Sequence, residues 1–142
     1  MKSLAAAAAV AIGMTLPALA QSPADFYRGK TINLVVGSDA GSGYDSYARL
    51  LARHIGRHIP GNPNIVVQNQ IGAGSITMTN AVANVGARDG TVIGAPQSSV
   101  GVERLLHLLS PGGRTANFDA TKLNWLGTMA QDTFVVLGWH KS

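Results

Sequence analysis

The chain contains no cysteine, and this single absence removes disulfides, thiolate metal sites and thiol nucleophiles together. Charged residues make up 13% and aromatics 6%, too sparse for the interleaved basic and aromatic residues of a nucleic-acid surface. The sequence also lacks any apolar run of the roughly 20 residues needed to cross a bilayer. With 46% apolar residues in 142, what is left is a packed chain of modest size, one domain by length, held together by its core.

Part of that apolar content belongs to the start. Met1-Lys2-Ser3 is a short positive lead, Leu4 to Leu16 is an uncharged alanine-rich run, and Pro17-Ala18-Leu19-Ala20 ends in small residues. This order reads as a secretory signal, residues 1–20, cleaved after Ala20. The mature part, 21–142, is then expected outside the cytoplasm, in the periplasm. Removing Lys2 leaves 10 basic against 7 acidic residues, a balance of +3 that suits an acidic small molecule without requiring one.

Along the mature part, strand-like and helix-like patterns alternate. Gln21 to Gly29 is a polar lead-in, and Thr31 to Val36 is a strand of branched apolar residues closed by Gly37. Tyr47, Leu51, Ile55 and Ile59 then recur every four residues, beside Ala48 and Ala52, and predict a helix stopped by Pro60-Gly61-Asn62-Pro63. Ile65 to Val67 is a second strand and Ile76 to Val85 a second helix, with Ser75 as its N-cap and Gly86 at its end. Thr91 to Ala95 is a third strand, and Val100 to Leu109 a third helix, closed by Ser110-Pro111-Gly112-Gly113. After a polar loop from Gly112 to Thr121, Leu123 to Thr128 and Phe134 to Trp139 read as two further strands. Such alternation predicts an α/β fold, a mostly parallel sheet flanked by helices.

Two glycine-rich turns, Ser38 to Asp45 and Asn69 to Ser75, follow the first two strands. In an open parallel sheet both fall at the carboxyl edge, where ligands bind. A helix start offers unpaired amides and positive potential, so the pair predicts a cradle for an anion. A dinucleotide does not fit. Gly41-Ser42-Gly43 lacks the third glycine of the fingerprint, the second turn fails at the same place, and Gln68-Asn69 provides no acidic ribose ligand. Gly29-Lys30-Thr31 precedes its strand and so is no phosphate loop. His54 and His58 have a metal-like spacing, but Arg53 and Arg57 beside them repel a cation, and the stripe they form with Arg49 reads as a solvated basic face. No Ser, His and Asp order or nucleophile elbow emerges, so an enzyme is not expected. Asp45 suits a structural role at the helix start, or else direct ligand contact; Tyr44 either closes over a ligand or packs.

In ordered motifs the mature sequence resembles the solute-binding receptors of tripartite tricarboxylate transporters, the Bug family. The resemblance rests on Tyr27-Arg28-Gly29-Lys30, Gly41-Ser42-Gly43-Tyr44-Asp45 with Ala48-Arg49-Leu50, Asn69 to Ser75, Asp89-Gly90-Thr91 and Leu123-Asn124-Trp125-Leu126-Gly127. Asp39-Ala40 and Ile71 depart from the family pattern, which often has proline and glycine at the former and proline at the latter. The resemblance implies the first lobe of a type II periplasmic binding protein. It implies a small carboxylate as solute, delivery to the membrane permease subunits of a transporter, and no cofactor or metal. The implied contacts are Ala40, Gly41, Ser42, Gly43, Tyr44 and Asp45 in the first turn, and Gly72, Ala73, Gly74 and Ser75 in the second. Gln97, in the loop Pro96-Gln97-Ser98, is a weaker third contributor. Family members carry a second lobe, so the resemblance also implies that this chain is an N-terminal portion whose second lobe is absent or incomplete. Two other readings remain open: an exported hydrolase or transferase that uses the turns as an oxyanion or phosphate cradle, and a periplasmic sensor or adaptor.

Overall fold

The computed structural model describes residues 21–103 and 116–130. Residues 1–20, expected as a signal sequence, most of the helix expected over Val100–Leu109, part of the Gly112–Thr121 loop and the strand expected at Phe134–Trp139 lie outside the described residues. No helix among the described residues is long and apolar enough to cross a membrane.

Among the described residues three strands form the sheet: β1 (Thr31–Val36), β2 (Asn64–Asn69) and β3 (Val92–Ala95). Their spatial order is β2-β1-β3, and both pairings are parallel. The first strand of the sequence is therefore the central one, and its alternate residues are buried on both faces, as a covered parallel strand requires. Register aligns the carboxyl ends, with Val36 opposite Asn69 on one side and Ala95 on the other.

The connections move in opposite directions across the sheet. Helix α2 (Gly43–Ile55), continued by a 3-10 turn at Gly56–His58, joins β1 to β2; helix α3 (Ile76–Asn84) joins β2 to β3. Right-handed crossovers place such helices on opposite faces, and the packing agrees. Leu34, Val36 and Ala48 form a buried core with Tyr44, Leu51, Ala52, Ile65, Val67, Ile93 and Ala95 against it. On the other face Gly94 of β3 lies beneath Met78 and Val82 of α3.

The fold departs from the sequence pattern in several places. The polar lead-in holds a short helix, α1 (Pro23–Tyr27), whose start Ser22 caps by accepting from the Asp25 amide at 3.1 Å. Tyr47 is 48% exposed rather than part of the buried face. A four-residue step overshoots a 3.6-residue turn by about 40°, so a strict series of fours drifts off the face; Tyr44 and Ala48 occupy it instead. Helix α3 ends at Asn84, where the Val85 and Gly86 amides both donate to Ala81 O at 2.9 Å. The expected third helix begins as a 3-10 segment, Ser98–Val102.

Leu123–Thr128 is not a strand. A 3-10 turn at Ala120–Lys122, capped by Asp119, precedes it, and Trp125 Nε1 donates back to Ala120 O at 2.9 Å. The segment has no ladder partner among the described residues, and Gly127 at φ 152° interrupts it. Its neighbour Asn117 is instead pinned to α3, its amide donating to Asn80 Oδ1 at 2.7 Å and its carbonyl accepting from Asn84 Nδ2 at 3.0 Å.

Candidate functional site at the carboxyl edge of the sheet

Parallel strands in register bring their following loops to one edge, and here three converge: 37–42 after β1, 70–75 after β2 and 96–98 after β3. Side chains lock each loop to another.

The first loop opens by continuing the ladder. The Gly37 amide donates to Ala95 O at 3.2 Å, and Gln70 N donates to Val36 O at 2.8 Å. Gly41 has φ 83°, the left-handed conformation that glycine adopts freely, and this turns its amide onto Asp45 Oδ2 at 2.7 Å. Ser42 caps α2, accepting from the Asp45 amide at 3.3 Å and sharing a 2.8 Å bond with the Ser38 hydroxyl.

Asp45 is only 2% exposed and fully employed. Besides Gly41 N, its carboxylate accepts from Arg49 Nε at 2.8 Å and from Asn69 Nδ2 at 2.9 Å. Asn69 in turn donates to Ser38 O at 3.0 Å and accepts from Arg49 Nη2 at 3.1 Å. The triangle of Asp45, Arg49 and Asn69 thus fastens the first glycine turn to the end of β2. The Arg49 guanidinium foremost, then the Gly41 amide and the Asn69 side chain, hold the Asp45 carboxyl well below the usual carboxylate range. Its partner Arg49 is correspondingly raised. Between the two roles open to it in the sequence, Asp45 takes the structural one in this geometry: it shapes the turn and presents no free oxygen to the edge.

The second turn is unusual in its backbone. Gly72, Ala73, Gly74 and Ser75 have φ of 145°, 50°, 63° and 73°, four consecutive positive values. For Ala73 and Ser75, which carry a Cβ, this conformation costs about 1–2 kcal/mol each. Ser75 is fully buried and does not cap α3 through its side chain. Its hydroxyl donates to Gly37 O at 2.9 Å and accepts from Gln97 N at 3.0 Å, joining all three loops through one oxygen. Gly37 is glycine for this reason, since a Cβ there would stand 2.5 Å from Ser75 Cβ and nearer still to its Oγ. The third loop closes against α2, with Tyr44 Oη 3.3 Å from Ser98 Oγ. Tyr44 therefore both packs on the core and tethers a loop.

The eleven candidate positions divide accordingly. Asp45 and Ser75 are interior supports, and the backbone amides of Gly41 and Gln97 are spent on them. Ala40, Gly41, Gly43 and Ala73 are exposed; Ser42, Tyr44, Gly72, Gly74 and Gln97 are half-buried. The amides of Gly43 and Tyr44, the first two of α2, have no partner among the described residues. Gly43 has no positive φ, and a Cβ on it would meet nothing within 4 Å, so neither backbone nor packing demands glycine there. Gly43 thus borders open space at a helix start with two free donors.

The sequence places Ser38, Asn69 and Ser98 in the three loops of this edge without giving their side chains a role, and it assigns Arg49 to the basic face rather than to Asp45. Arg49 was accessible as the i+4 partner of Asp45; for Asn69, reached across a strand pairing, no local signal existed. The histidines stand apart, His54 and His58 exposed toward the far end of α2. Among the described residues no three of His, Cys, Asp and Glu gather as metal ligands. The Ser42 and Ser75 hydroxyls bond to Ser38, Gly37 and backbone amides, with no histidine among their partners. Among the described residues this edge offers amide and hydroxyl donors on a frame of side-chain bonds. The chain matches no protein-family model, no curated protein and no solved structure, so the chemistry of the site rests on this geometry.

Proposed function

We propose that the chain is the first lobe of an extracytoplasmic solute-binding receptor of the type II periplasmic class, which captures a small carboxylate and hands it to a membrane permease. The observation that carries this reading is the open helix start at Gly43 and Tyr44. Two unpaired amides at the positive end of α2 lie beneath space that no internal packing requires. The strained turn Gly72–Ser75, bolted through Ser75, supports the reading as well. Backbone strain held in place by surrounding bonds clusters at ligand-binding sites.

Binding rather than turnover is favoured because the hydroxyls at this edge have no neighbouring base among the described residues and both oxygens of the Asp45 carboxylate are engaged. The ordered sequence motifs point to a transport receptor, and the mild positive balance suits an acidic solute.

The test is an NMR titration of the labelled full chain with citrate, malate, succinate and a neutral amide analogue. Carboxylate-dependent shifts at Gly43, Tyr44, Ala73 and Gly74, absent with the amide, are expected. Shifts scattered elsewhere, or none at high millimolar concentration, overturn the proposal.

A further inference from the structure

The outward face of α2 carries charge of one sign only. Between Gly43 and His58 the single acidic residue is Asp45, which is buried and paired with Arg49 at 2.8 Å, while Arg53 and Arg57 are exposed. Most other described cations have internal partners: Arg28 pairs with Asp25 at 3.2 Å, Lys30 stands over the Phe26 ring at 3.5 Å, and Arg88 donates to Ala83 O at 3.2 Å. Arg53 and Arg57 have no carboxylate partner among the described residues; Arg57 Nε donates only to His58 Nε2, at 3.2 Å. Arg49 is paired with Asp45 at 2.8 Å, whereas Arg53 and Arg57, four residues apart, are like charges with no carboxylate between them.

Two large apolar side chains sit on the same face. Leu50 and Tyr47 are each 48% exposed, one helical turn apart. On the helix surface Leu50 is neighboured by Tyr47, Arg53 and His54 at three or four residues, with Arg57 one turn beyond Arg53. An apolar centre ringed by Arg and Tyr has the anatomy and composition of a protein interface: a desolvated anchor inside a polar rim. A lipid surface would instead favour a broad apolar stripe with cations along its flanks, and here the apolar contact is small and central.

We propose that this face of α2 is a docking surface for a protein partner that presents carboxylates around an apolar contact. The complementarity lies in charge and in the Leu50 and Tyr47 anchor, and it is independent of which solute the carboxyl edge takes. Electrostatic steering of such a pair accelerates encounter and is weakened by salt.

The probe is a synthetic peptide in which two leucines are flanked by glutamates, titrated into the labelled full chain without solute. An all-glutamate peptide and vesicles of phosphatidylglycerol in phosphatidylcholine form the comparison arms. Shifts centred on Tyr47, Leu50, Arg53 and Arg57 are expected, with affinity falling about tenfold in the Arg53→Glu/Arg57→Glu variant and in raised salt. The all-glutamate peptide binds more weakly, as does the Leu50→Ala variant. Should charge reversal disturb the fold by circular dichroism, Arg53→Gln/Arg57→Gln carries the same test. Affinity unchanged by either substitution, shifts away from α2, or vesicles binding where the peptide does not, overturns the proposal. None of these readouts involves a carboxylate solute, so failure here leaves the solute reading standing, and the converse holds.

Discussion

The single oxygen that joins three loops allows a sharp energetic test. Replacing Ser75 by alanine leaves the Gly37 carbonyl and the Gln97 amide without their partner. Each stranded group costs about 1–3 kcal/mol, and the exposure of Gln97 toward the lower end gives about 3 kcal/mol in all. Alanine keeps the Cβ at φ 73°, so the backbone strain stays. Ser75→Gly loses the same two bonds but relieves that strain, and it should therefore be about 1 kcal/mol less destabilised than Ser75→Ala. Gly37→Ala, at a position without positive φ, costs about 1–3 kcal/mol by overlap with the Ser75 side chain alone. In the double variant Gly37→Ala/Ser75→Gly the nearest atom to the new Cβ becomes the residue 75 Cα, at 3.0 Å, and most of that overlap disappears. Urea unfolding followed by far-ultraviolet circular dichroism gives the four free energies of the cycle. A favourable coupling of about 1–2 kcal/mol is expected. Additivity within about 0.5 kcal/mol, or alanine tolerated at 75 as well as glycine, would refute the bolt described for this site.

Further outcomes follow from the same geometry. Because the folded carboxyl of Asp45 titrates below its ordinary value of 3.8, its stabilisation is complete above that value and is lost as pH falls through the lower folded value. Acid unfolding curves of Asp45→Asn should therefore be flatter than those of the parent below about pH 4, and parallel curves would count against the triangle. Gly43→Ala should stabilise the helix by about 0.5–1 kcal/mol while weakening the carboxylate shifts at Tyr44, a split read by thermal melting beside the NMR titration. Tyr44→Phe removes the bond to Ser98 and should cost about 1 kcal/mol, with faster amide exchange at Ser98 as its local signature. Asn80→Ala frees the Asn117 amide and should raise exchange there without moving the sheet.

The sheet was legible wherever apolar character and strand coincide. Thr31–Val36 was expected with the bounds it has, since all its interior positions but Asn33 are apolar and buried. The second strand runs three residues further than its apolar stretch because parallel pairing with β1 carries it through Asn64, Gln68 and Asn69. Gln68 finds Asn33 across the ladder at 3.3 Å, and Asn69 finds Asp45. Polar residues paired across strands leave no periodic trace, which is also why the bond from Asn69 to Asp45 was not legible in the sequence. Ser75 illustrates a different limit. A serine before a helix satisfies the cap pattern, and only the approach of Gly37 and Gln97 from other strands diverts its hydroxyl. Leu123–Thr128 has strand-like composition, but composition makes a strand only where an edge receives it.

The central position of β1 sets a timetable for the growing chain. Its two neighbours both come later, β2 ending at Asn69 and β3 at Ala95, so the first strand emerges long before its sheet exists. At roughly 5–20 residues per second, Val36 waits about 2–7 s for its first partner and about 3–12 s for its second. Throughout that interval the uncharged stretch Thr31–Val36 is an unpaired strand with two open edges, the kind of segment that recruits other chains. Yield at high expression should therefore depend on how quickly residues through Ala95 follow, and on whatever shields the nascent strand until they do.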